Sequence, residues 1–79
     1  MNTQQRRSGV ADALSDLAEI LHRHPGESVH ITEVYRQFGW WRVCAKVGES
    51  EALAPRFEAF DDATSFRLRA VEMATEGSM

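Results

Sequence analysis

The sequence predicts a small α+β domain with about three helices, one short strand and a C-terminal β-hairpin. Three observations carry that expectation. Apolar residues from Val10 to Leu21 recur at helical spacing, and Pro25-Gly26 punctuates the chain directly after them. The stretch Arg56–Val71 alternates apolar and polar residues on either side of a polar turn. At 79 residues the chain holds one domain.

Each element has its own signal. Met1 to Ser8 is polar, carries the adjacent pair Arg6 and Arg7, and reads as a flexible arm. Ser8 suits a helix cap. Val10, Leu14, Leu17, Ile20 and Leu21 then form one stripe, filled in by Ala13 and Ala18. Asp12 falls in the first turn and His22, Arg23 and His24 in the last, as the helix dipole favours. Ser28 to Ile31 is a short strand. Thr32 caps a second, short helix over Glu33–Phe38, which sets Val34 and Phe38 on one face; Gly39 suits the left-handed residue that ends it.

Trp40 to Val47 fits two patterns. As a helix it gathers Trp40, Val43, Cys44 and Val47 on one arc and sets Arg42 and Lys46 on the other side. As a strand it alternates Trp41, Val43, Ala45 and Val47, and the residue types favour β structure. Glu49 to Leu53 is also helical, either continuing that third helix across Gly48 or starting anew with Glu49 and Glu51 in its first turn, and Pro55 ends it. A hairpin follows, with Asp61-Asp62-Ala63-Thr64 as its turn. Its register sets Ala59 against Phe66 and Phe57 against Leu68 on the inner face, and Glu58 against Arg67. The folded domain spans residues 9–73, and residues 74–79 read as a disordered tail.

Composition narrows the function classes. A hydrophobic fraction of 43% with 27% charged residues is that of a globular chain. A core this small leaves little room for an enclosed substrate cavity of ~300 Å³ or more, so no small-molecule substrate is expected. Marginal stability makes a homodimer the expectation. Cys44 is the only cysteine, no stretch approaches the ~18 apolar residues of a membrane span, and residues 1–8 lack a secretory apolar core. A cytoplasmic address follows, since small secreted domains usually carry several disulfides. The net charge of −3 opposes nucleic-acid binding when taken alone. It is unevenly spread: residues 10–22 carry Asp12, Asp16 and Glu19 with no Lys or Arg, whereas residues 32–47 carry three cations against one acid, a net of +2.

Taken in order (helix, short strand, short helix, turn, helix, hairpin), the chain resembles the winged helix-turn-helix family. The residues that carry the resemblance are Val29-His30-Ile31 as the first strand, Thr32 to Phe38 as the second helix, Gly39 at the turn, Arg42 to Leu53 as the recognition helix and Arg56 to Val71 as the wing. It is a likeness of element order over residues 9–73, without a diagnostic motif. The resemblance implies a third helix in the major groove and a wing on the backbone or minor groove of double-stranded DNA. Arg42 and Lys46 would then face the groove, with Arg42 able to grip a guanine edge. Arg67 and Arg69 would reach phosphates from the wing, Arg36 would support them from the second helix, and Arg6 and Arg7 would follow the backbone. The plain alternative for each is a solvated surface. The implied function is a DNA-binding transcription regulator, dimeric on a two-fold site, of the kind small enough for a phage or other mobile element.

A second expectation comes from Trp40-Trp41. Adjacent tryptophans cannot both point inward, so one of them, Trp40 in the helical pattern, joins the core, and the other is either an edge-packed aromatic or a contact for a partner, a second subunit or a nucleobase. Together with the acidic first helix this suggests a protein-binding module or inhibitor that blocks a nucleic-acid-handling complex. In size and charge alone it is similar to anti-CRISPR proteins. His22, His24, His30 and Cys44 match no zinc spacing, so no metal or other cofactor is expected. Cys44 has no specified base and orienting acid, so no catalytic residue is assigned and the chain reads as a binder, not an enzyme. The state of residues 41–47 separates the two functions, because an extended segment removes the recognition helix.

Overall fold

The computed structural model describes residues 9–77. It is an α+β fold of two helices and six short strands: α1 (Val10–Arg23), β1 (Val29–Ile31), β2 (Tyr35–Gln37), β3 (Trp40–Arg42), β4 (Ala45–Val47), β5 (Glu51–Leu53), β6 (Arg56–Phe57) and α2 (Phe60–Gly77). The strands form two antiparallel three-stranded sheets, one ordered β1-β4-β5 and the other β2-β3-β6. The expectation of about three helices and a C-terminal hairpin, and with it the winged-helix architecture, is therefore overturned. The arm at residues 1–8, with Arg6, Arg7 and the Ser8 cap, lies outside the described residues.

The uninterrupted stripe makes α1, with Ala13, Leu17 and Ile20 buried. Gly9 occupies the N-cap position, and its carbonyl accepts from Ala13 N at 2.9 Å. At the other end the His24 N–H donates to the Ile20 and Leu21 carbonyls, and Gly26 turns the chain at φ +82°. That positive φ is open to glycine without the steric cost of a Cβ.

The second predicted helix, Glu33–Phe38, is a loop followed by β2. Thr32 does not cap it. Its hydroxyl accepts from the Cys44 N–H at 3.0 Å, and its own N–H donates to the Cys44 carbonyl at 3.0 Å. Gly39 is left-handed as expected (φ +83°), but it follows Phe38, also left-handed at φ +51°. Two successive positive φ values make a two-residue hairpin turn instead of a helix end. The register of Gln37 with Trp40 and of Tyr35 with Arg42 follows from that turn.

The third predicted helix, Arg42–Leu53, is divided among β3, β4 and β5. Trp, Val and Ala alternate there, and β pairing lets a half-buried ribbon use that alternation on both faces. Gly48, at φ +62°, opens the loop between β4 and β5. Sheet β1-β4-β5 sets Val29, Ile31, Ala45, Val47 and Leu53 toward the core, while its outer face carries exposed His30, Lys46 and Ala52. Glu51, at the rim, lies 3.8 Å from Arg23 and 3.9 Å from His24.

The predicted wing is replaced by β6 and α2. Phe66 and Ala70 are fully buried, but Leu68 between them is 57% exposed. A strand would bury all three; a helix buries Ala63, Phe66 and Ala70 and turns Leu68 out. Asp61 and Asp62 stand in the first turn, not in a hairpin turn, and suit the dipole there. The helix runs through Gly77, so residues 74–77 are helical where the sequence predicts a tail. α1 and α2 pack on each other and, with Val43, Ala45, Val47 and Phe57, enclose one core.

Candidate protein-interaction surface

The second sheet has two unlike faces. In-register neighbours share a face, so Arg36, Trp41 and Phe57 line the inner one and Tyr35, Arg42 and Arg56 the outer one, joined there by Gln37 and Trp40. Phe57 is fully buried against Phe66, with ring centroids 5.6 Å apart. Trp41 is half-buried and meets Phe60 edge-on at 5.0 Å. The two tryptophans do point opposite ways, as adjacency on a strand requires. The inner one is Trp41, whereas the helical pattern had chosen Trp40.

The outer face is built from polar and aromatic groups held by one another. The Arg42 guanidinium donates from Nη1 to Gln37 Oε1 at 2.8 Å and from Nη2 to the Ala54 carbonyl at 2.5 Å, and its Nε is buried without a partner. Arg56 lies 5.1 Å from the centre of the Trp40 ring, and on the inner face Arg36 lies 4.7 Å from that of Trp41. Each guanidinium covers a ring face in a cation–π contact. The strands of this sheet hold three arginines and no carboxylate.

At the hairpin tip, Phe38 is 91% exposed. A β-turn at this site conventionally takes Asn, Asp or Gly at positive φ; here an aromatic ring is held out in a conformation that costs a side chain roughly 1–2 kcal/mol.

The cations assigned to DNA do not converge. Arg36 and Arg42 share a sheet but lie on opposite faces, and Lys46 belongs to the other sheet. Arg67 and Arg69 lie on α2, not on a wing. Arg67 donates from Nε to the Thr32 carbonyl at 2.9 Å and pairs with Glu33 at 3.4 Å; Arg69 pairs with Glu72 at 2.6 Å. The site gains Tyr35, Gln37, Phe38 and Arg56. Phe38 carries no sequence signal for a turn, because aromatic residues are rare there.

No known protein family, curated protein or solved structure matches this chain.

Elsewhere, a cleft of about 810 Å³ runs between the ends of the two helices, lined by Leu21, His24, Val29, Ile31, Val71 and Ala74 among others. Among the described residues no three or more His, Cys, Asp or Glu side chains are grouped to hold a metal ion. No described helix is long and apolar enough to cross a membrane.

Proposed function

We propose that this protein is a protein-binding module that engages its target through the β2–β3 hairpin and the aromatic, arginine-bearing face of its sheet. The observation that carries the reading is Phe38, a ring 91% exposed and held at positive φ at the most projecting point of the hairpin. Folding gains nothing from that placement; association does. An apolar anchor beside a charged rim is the anatomy of a binding hot spot, and Trp, Tyr and Arg are the residue types enriched there.

A protein partner is favoured over nucleic acid on two grounds. Base stacking needs open ring faces, and on Trp40 and Trp41 one face of each is covered by an arginine. The chain's net charge of −3 further weakens phosphate attraction. With the recognition helix gone, the argument for a DNA regulator loses its geometry. The complementary target surface combines an apolar pocket for Phe38 with a carboxylate for the exposed Arg36.

The test is affinity capture from nuclease-treated extract with wild type and Phe38→Ser side by side, together with fluorescence anisotropy on duplex and single-stranded DNA at two salt concentrations. The expected result is a protein held by wild type and lost by the variant, at unchanged circular dichroism, with no DNA binding. Salt-sensitive DNA binding shared by both proteins, with no Phe38-dependent capture, would overturn the proposal.

A further inference from the structure

The geometry points to the outer edge of β2 as the place where the target adds an extended strand of its own, with an acidic residue set directly opposite Arg36. This deepens the proposed protein-binding function and rests on it.

The edge is open. β2 is terminal in its sheet, and β3 is the only helix or strand against which it packs extensively among the described residues. Its backbone polarity follows from the turn. In a two-residue hairpin the Gln37 carbonyl accepts from the Trp40 N–H, so Gln37 and Trp40 form a hydrogen-bonded pair. Bonded and non-bonded pairs alternate along an antiparallel ladder, so Arg36 opposite Trp41 is a non-bonded pair. The N–H and C=O of Arg36 therefore point away from β3, toward the vacant edge. A strand docking there antiparallel would exchange both hydrogen bonds with Arg36, and the side chain opposite would stand roughly 5 Å from that of Arg36.

Charge then selects the occupant. A second copy pairing about a two-fold axis centred on Arg36, the residue that offers both backbone groups to the edge, would place Arg36 against Arg36, and like charges directly opposite are destabilising. A charged residue on an exposed edge is a known guard against self-pairing. Arg36 is exposed at that position, so an acid in the central position of the added strand, on the same face as Arg36, is the complementary choice. The flanking residues of that strand would lie on the outer face beside Tyr35 and Gln37, with the exposed Phe38 ring at one end. Main-chain bonds would supply affinity, and the residue opposite Arg36 would supply specificity.

The test titrates ¹⁵N-labelled protein with short capped peptides of alternating valine and threonine around one central residue, either glutamate, lysine or N-methyl-glutamate. The glutamate peptide is expected to shift residues 34–38 and to slow exchange of the Arg36 amide about ten-fold. The lysine peptide is expected to bind about five-fold more weakly, the N-methyl peptide not at all, and Arg36→Glu to reverse the preference. Three results would overturn the edge: no binding at millimolar peptide, binding indifferent to the central charge, or shifts confined to Trp40, Arg42 and Arg56 without protection at Arg36. In any of these cases, capture that still depends on Phe38 leaves the broader reading standing; loss of that capture removes both.

Discussion

The two sheets have the same number of strands and the same antiparallel pairing, yet they spend their side chains differently. Sheet β1-β4-β5 turns small aliphatic residues inward and leaves its outer face to the exposed His30, Lys46 and Ala52. Sheet β2-β3-β6 commits only Phe57 fully to the core. It invests its remaining bulk in half-buried tryptophans and a half-buried tyrosine, with Arg36 and Arg56 lying over the two indole rings and Arg42 bonded to Gln37. One sheet closes the domain and the other displays. The hairpins show the same contrast: Gly48 meets a conformational need with glycine, whereas Phe38 meets the same need with a residue poorly suited to it.

The largest expected effect tests whether the displaying sheet is anchored at a single point. Phe57→Ala should cost about 3–5 kcal/mol, a large part of the roughly 4–12 kcal/mol expected of a chain this size. Thermal unfolding by circular dichroism would read it, and a cost near zero would show that the core is closed without β6. Gly48→Ala should cost about 1–2 kcal/mol, since a side chain there takes on a left-handed backbone. Its Cβ would also come to 2.6 Å from Glu27 Oε1, a flexible neighbour able to move aside. Phe38→Asn should act in the opposite direction, raising stability by about 1 kcal/mol and the melting temperature by several degrees, while target binding is lost. A destabilised Phe38→Asn would mean that the ring supports the fold, and the contrast between hairpins would fail. The smallest effect is expected at Arg69→Gln on the exposed Arg69–Glu72 pair, under about 0.5 kcal/mol in urea denaturation.

How far the fold is legible in the sequence depends on whether one periodicity stands alone. Over Val10–Leu21 helical spacing has no rival, and Pro25-Gly26 closes it, so α1 is recovered to within a residue. Over Phe66–Ala70 two periods coincide: alternate positions and positions four apart both select Phe66 and Ala70. Only Leu68 tells them apart, and its fate is set by what α1 offers to pack against. Trp40–Val47 is ambiguous in the same way, and it was settled by a turn made of Phe38 and Gly39 that no local rule suggests. For the site, the adjacency of Trp40 and Trp41 correctly marks a two-faced element. The helical pattern points Arg42 at a groove, whereas in the fold it bonds Gln37 and Ala54. Phe38 is hidden in the sequence because its i, i+4 spacing from Val34 fits a helix face equally well.

The clasp between Thr32 and Cys44 has a consequence for how this chain can change. β1 pairs with β4, so residues 32–44 form an excursion that leaves the closing sheet and returns to it, cinched at the neck by two hydrogen bonds. Most of what lies beyond the neck faces outward, and among the described residues Val34, Val43 and the inner side of Trp41 reach back to the core. Sequence drift in Tyr35–Trp40 would thus leave the packing of α1 against α2 undisturbed. The domain is arranged as a fixed base bearing an interchangeable head, so the residues of the hairpin can change at a pace the scaffold does not share.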